Sequence, residues 1–173
     1  PDISERSFEQ AIERELLEYG PDACVDDAIV VRETPPPYGE NPPGGYRKRQ
    51  PEDYDRTLCL LPRDVLDFVL ATQPKEWQKL EQHHGASVRE QFLKRLASEI
   101  ERRGALDLLR NGLKDSGVKF RLAYFRPASG LNEETRRLYA ANLFAVVRQL
   151  RYSTKNENCM DLVLFLNGIP LFT

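Results

Sequence analysis

The chain has 173 residues, 40 % of them apolar and 30 % charged, and its net charge is only −2. Those figures describe one ordinary globular domain with a real core; no apolar run reaches the length of a membrane span, and no signal-peptide pattern opens the sequence. Three widely spaced cysteines (Cys24, Cys59, Cys159) lack CxxC or Cys/His spacing, so they read as reduced thiols and not as a structural zinc site.

The first predicted element is a helix over 4–18. Phe8, Ile12 and Leu16 recur at four-residue spacing beside Ala11, which predicts an apolar stripe facing the core. Asp2 with Glu5 suggests a capping box at its start, and Tyr19-Gly20-Pro21 stops it. Ala28–Arg32 has the composition of a short strand. Residues 33–56 hold Pro35-Pro36-Pro37, Asn41-Pro42-Pro43-Gly44-Gly45 and Arg47-Lys48-Arg49, which reads as a flexible loop that builds no core.

Residues 62–111 predict consecutive helices, broken at Gln73-Pro74, His84-Gly85 and Arg103-Gly104. Val88, Phe92, Leu96 and Ile100 share one stripe of the longest. Val118–Phe125 alternates as a half-exposed strand. Residues 132–141 predict a helix, and Leu143–Tyr152 is either a strand or the end of that helix. At the C-terminal end, 160–166 and 169–173 are apolar runs joined by Asn167-Gly168, the strongest short hairpin signal. A strand that is apolar on both faces belongs in the middle of a sheet. The sum is a single mixed α/β domain over 1–173, with a helical insertion at 62–111 and a basic, strand-rich core over 117–173. The chain starts at Pro1 without a methionine and stops inside an apolar strand, which reads as a piece of a longer polypeptide.

Charge is unevenly spread. Between Gly117 and Lys155, eight cations (Lys119, Arg121, Arg126, Arg136, Arg137, Arg148, Arg151, Lys155) face Glu133 and Glu134, a net +6. Once Glu157 and Asp161 are counted, residues 1–116 carry −6. A basic segment leading into the hairpin suits a phosphate backbone, and an Arg-rich solvated face has the same composition.

Signals for other chemistry are weak. His83-His84 point about 100° apart on a helix and chelate poorly together. Gly39 and Gly44-Gly45 lack phosphate-loop spacing. No serine or cysteine has a recognisable base beside it, and Trp77 falls on a periodic core position. Two carboxylate positions remain. Asp161 is the only charged side chain in the terminal hairpin, and a carboxylate at a core strand needs a partner, a metal or a solvent-facing register. Glu5 and Glu9 flank the apolar stripe of the first helix. A helix glutamate converging with Asp161 would supply the one or two carboxylates that Mg²⁺ takes alongside phosphate oxygens.

The string Asp161-Leu162-Val163-Leu164-Phe165-Leu166-Asn167-Gly168-Ile169-Pro170-Leu171 resembles the nuclease-motif hairpin of the R subunit of type I restriction-modification enzymes. Ser4-Glu5-Arg6-Ser7-Phe8-Glu9 resembles the helix that opens that subunit. Phe125-Arg126-Pro127-Ala128-Ser129-Gly130-Leu131-Asn132 and Val147-Arg148-Gln149-Leu150-Arg151-Tyr152 match one branch of the family. The resemblance implies a PD-(D/E)xK-type mixed sheet flanked by helices. It also implies a type I site-specific deoxyribonuclease in the parent protein, with Asp161 and Glu9 as catalytic metal-binding carboxylates and Glu5 as the less favoured helix ligand. Mg²⁺ is the implied cofactor, and ATP is used by the parent subunit outside this chain.

The implied partners are double-stranded DNA, read through its backbone by Arg126, Arg148, Arg151 and Lys155, and the modification and specificity subunits of a cytoplasmic bacterial or archaeal complex. The family's Glu-x-Lys element would fall just past Thr173, so the fragment itself is expected to be inactive. A two-residue Asn-Gly turn would set that glutamate on the opposite sheet face from Asp161, so an irregularity is expected around Asn167–Pro170. The alternative is a non-catalytic DNA-binding or subunit-docking domain with a nuclease-like fold.

Overall fold

A computed structural model describes residues 5–19, 45–127, 132–154 and 158–172. Among them, β1 (Tyr46–Arg49), β4 (Phe144–Arg151), β5 (Cys159–Leu166) and β6 (Ile169–Phe172) form one mixed sheet in the order β1-β4-β5-β6. β1 runs parallel to β4, and β4, β5 and β6 are antiparallel neighbours. Between β1 and β4 come α2 (Pro62–Thr72), α3 (Pro74–His84), α4 (Val88–Arg103), α5 (Ala105–Asn111), the small hairpin of β2 (Leu113–Asp115) and β3 (Val118–Phe120), and α6 (Glu133–Ala140). α1 (Glu5–Tyr19) precedes them all. The domain is mixed α/β, and its helical insertion lies where the break signals put it.

Two apolar clusters hold it together. The larger joins Val65, Phe68, Trp77, Leu80, Phe92 and Leu96 of the insertion to Leu113, Phe120 and Ile169. Phe92 stacks edge-on to Trp77 and to Phe120, with centroids 5.4 and 5.0 Å apart, so three elements share one aromatic contact chain. The smaller cluster covers one face of the sheet with Leu61, Ala145, Val147, Leu150, Val163 and Phe165. α1 lies against the other face, reached by Lys48 of β1 and Arg148 of β4.

Two expectations need correction. The 33–56 stretch was expected to be a loop; 33–44 lie outside the described residues, but Tyr46–Arg49 is a strand. Its three consecutive basic residues carry no apolar alternation. What fixes it is the parallel ladder to β4 and a fork of Arg49 onto the buried Asp64, with Nη2 2.9 Å from Oδ1. The strand expected over Val118–Phe125 ends at Phe120. Beyond it, side-chain amides replace the ladder: Gln73 accepts from the Arg121 amide (2.7 Å) and donates to its carbonyl (2.8 Å), and Asn142 does the same for Tyr124 (3.2 and 2.6 Å). The possible strand at Ala28–Arg32, the Asp2 cap and the Gly20-Pro21 stop lie outside the described residues.

The hairpin is a two-residue turn with Asn167 and Gly168 both at positive φ (51° and 79°), as its sequence requires. The turn packs under α2. Leu61 donates to the Gly168 carbonyl at 2.9 Å, and a Cβ on Gly168 would meet the Leu61 carbonyl oxygen at 2.5 Å. Asn167 is buried, accepting from the Leu143 amide and donating to the Leu122 carbonyl and to Asn142. The expected irregularity exists. Phe165 pairs with Pro170 and Leu164 with Phe172, so Leu171 is the extra residue, one position past the expected stretch.

Candidate active site

The helix stripe is turned relative to expectation. Phe8 is 68 % exposed and Ile12 36 %, whereas Glu9 and Glu13 are buried against the sheet. Residues 8 and 12 sit one position, about 100°, from 9 and 13, so a modest rotation about the helix axis exchanges the two faces. The sheet determines which face is bound. Lys48 and Arg148 project from the strands under α1, and burying charge requires opposite charge. Arg148 Nη2 lies 3.0 Å from Glu9 Oε2, its Nη1 lies 3.5 Å from Glu13 Oε2, and Lys48 Nζ reaches the same Glu13 oxygen at 3.1 Å. Glu13 Oε1 and Arg148 Nε are buried without a hydrogen-bond partner among the described residues.

Gln149 connects this ion cluster to the hairpin. Its Nε2 donates to Glu9 Oε2 at 3.1 Å and to Asp161 Oδ1 at 3.2 Å. The helix carboxylate and the strand carboxylate therefore converge on one amide nitrogen. The amide orientation follows from charge, because a reversed amide would set its oxygen against both carboxylates. Gln149 has φ 52°, a left-handed conformation in mid-strand that costs about 1–3 kcal/mol and persists only where its surroundings enforce it.

Cys159 lies beside the pair, with Sγ 3.6 Å from Gln149 Oε1. Its thiol is pushed above its ordinary value, first by the water it gives up and then by the Asp161 charge; Glu9 adds to the rise and Arg151 opposes it.

The other expected residues are dispersed. Arg148 is turned inward, so its charge is spent on Glu9 and Glu13. Arg151 is exposed at the end of β4, opposite Cys159. Arg126 is exposed on the coil after β3, whose Tyr124 is tied to Asn142, two residues before β4; Gln149 lies five residues into that strand, about 16 Å from its start at 3.3 Å per residue. Lys155 and the Glu5 side chain lie outside what the structure describes.

Sequence reasoning missed Glu13, Lys48 and Gln149. Glu13 continues the four-residue spacing of Glu5 and Glu9, which was a usable signal. An uncharged glutamine between two carboxylates left none. His84 ends close to Asp115 Oδ1 (3.4 Å) and Ser116 Oγ (3.1 Å), but both reach the same ring nitrogen, Nε2, and Ser116 also donates to Asp115. That arrangement ties a turn to α3 and has no relay geometry. A shallow hollow of about 310 Å³ at Thr72, Gln73, Glu76, Lys119, Arg121 and Tyr124 contains neither carboxylate of the pair.

The fold and site define a mixed α/β domain with a carboxylate pair where an N-terminal helix crosses the sheet. Residues 66–173 match the family model described as the type I restriction enzyme R protein N terminus, and the chain belongs to that family. No curated protein and no solved structure matches it. Among the described residues, no helix is long and apolar enough to cross a membrane.

Proposed function

We propose that the chain carries the nuclease site of a type I restriction enzyme R subunit, a metal-dependent DNA endonuclease of the PD-(D/E)xK class. The observation that carries this reading is the convergence of Glu9 and Asp161, from opposite ends of the chain, on the Gln149 amide. The donor set suits Mg²⁺, which takes one or two carboxylates and completes its shell with water and phosphate oxygens. A bound divalent cation would activate water and neutralise charge on the phosphodiester.

This chain's own part is to present Glu9 and Asp161 to that cation, to fix their separation through Gln149, and to hold Glu9 in place through Arg148. Arg151, exposed at the end of β4 opposite Cys159, would meet the DNA backbone. The reading requires Glu-x-Lys in the parent reading frame just past Thr173, an ATP-driven translocase elsewhere in the parent, and modification and specificity subunits as cytoplasmic partners.

The test is plasmid cleavage by the parent subunit assembled with those partners. Asp161→Ala and Glu9→Ala are expected to abolish cleavage with the fold intact by circular dichroism. Cleavage at the wild-type rate in Asp161→Ala would leave the docking-domain reading, which the exposed Phe8 and Ile12 on α1 favour.

A further inference from the structure

We infer that Gln149 is the positioning residue of the carboxylate pair: its left-handed backbone aims Asp161 at α1, and its amide sets the spacing of Asp161 from Glu9. The inference rests on the metal-site reading above and deepens it.

In a regular strand, residues three apart point to opposite faces. Val147 and Leu150 are three apart in β4, yet both belong to the same apolar cluster. Across the ladder, Met160 packs against that cluster together with Val163, again three residues away. The ladder does not slip to allow this, because Arg148 pairs with Leu162 and Leu150 with Met160 in the same register on either side of Gln149 and Asp161, the one pair between them that the ladder leaves out. No residue is inserted. Both strands turn over at one step, the position where Gln149 stands opposite Asp161, and Gln149 has the positive φ there.

The consequence is local and chemical. By alternation, Asp161 would share the apolar face with Val163 and Phe165, where a carboxylate has no partner. The turned step puts Arg148 and Gln149, adjacent in sequence, on α1 together. It also brings Asp161 within hydrogen-bond reach of the same amide. Each of the two amide N–H groups then serves one carboxylate, and the Gln149 oxygen receives the Cys159 thiol. A glutamine suits this place because it bridges two anions without adding a third.

The two parts of the role can be separated in the 173-residue chain by Mn²⁺ binding, read from the electron paramagnetic resonance of the free ion, alongside thermal melting. Gln149→Gly accepts the left-handed backbone but has no amide. Its melting temperature should equal or exceed that of wild type, while Mn²⁺ affinity falls about tenfold or more. A purely structural role would leave affinity unchanged. Gln149→Val is β-branched and resists positive φ, so it should lose the Asp161-dependent binding altogether.

Wild-type affinity in Gln149→Gly overturns the inference. If Asp161→Asn binds Mn²⁺ as wild type does, the metal-site reading fails instead. The inference is then decided in the metal-free protein, where the Gln149 side-chain amide signals in a proton–nitrogen correlation spectrum must move in both Asp161→Asn and Glu9→Gln. Signals that stay in place overturn it.

Discussion

The insertion helices and the α1–sheet junction are built on opposite terms. Around Phe92 the contacts are apolar, close-packed and drawn from residues whose periodicity announces them. Under α1 the contacts are ionic. Two carboxylates and a guanidinium are packed between helix and sheet with a half-exposed ammonium at their edge, two polar atoms have no partner among the described residues, and one residue is held in a left-handed conformation. The first region breaks local rules only at its margins, where Asp64 and Glu99 are buried but ion-paired and Ser116 turns at positive φ, and the second breaks several within a few residues. Strain and unsatisfied polarity are tolerated only where the surroundings enforce them, and here they collect between α1 and β4 and not in the insertion.

The largest expected effect is in the apolar region. Phe92→Ala should lower unfolding free energy by about 4 kcal/mol in a denaturant titration, since it empties the centre of the aromatic chain. In the ionic region, Arg148→Met should cost about 3 kcal/mol by taking the guanidinium from two buried carboxylates, leaving Glu9 to the Gln149 amide and Glu13 to the half-exposed Lys48. That loss should be largely reversed by adding Glu9→Gln and Glu13→Gln, whereas no change at α1 should rescue Phe92→Ala. If Arg148→Met is neutral without the second changes, the ionic account of the junction is wrong. Asn132→Ala removes the side chain that accepts from the Glu134 and Thr135 amides and should cost about 1 kcal/mol, which serves as a local measure on α6.

The smallest effect is a shift in a titration. Desolvation first and then the Asp161 charge hold the Cys159 thiol up, so in Asp161→Asn the pH midpoint of Cys159 alkylation should fall part of the way, measured with Cys24 and Cys59 replaced by serine. An unmoved midpoint would place Asp161 away from the thiol and, with it, away from Gln149.

What was legible in the sequence follows the same division. The insertion helices, α6 and the terminal hairpin each follow from local signals: apolar spacing, Pro and Gly breaks, and Asn-Gly. Asp161 was legible because a lone charge in an apolar strand is conspicuous. The orientation of α1 was not, because Phe8-Ile12 and Glu9-Glu13 offer two adjacent faces and only Lys48 and Arg148 decide between them. β1 was hidden because its ladder to β4 is a long-range pairing with no period of its own. The segment after β3 looked like strand because it alternates, but Gln73 and Asn142 from distant elements satisfy its backbone. A left-handed glutamine has no signature, since nothing in Arg148-Gln149-Leu150 announces a turned step.

Asn167-Gly168 also bears on how the molecule ages. In a mobile chain this dipeptide deamidates readily, because the unhindered glycine nitrogen attacks the asparagine side chain and closes a succinimide ring. In the fold, Asn167 is 2 % exposed and its amide is held by Leu143, Leu122 and Asn142, so ring closure is obstructed. Unfolding removes that protection. The aspartate that forms would then have to return a charge to a site where the Leu122 carbonyl and the Asn142 oxygen expect a donor. Molecules that stay unfolded long enough are therefore chemically marked and hindered from refolding. Mass spectrometry of this peptide after heating should record the time each sample has spent unfolded.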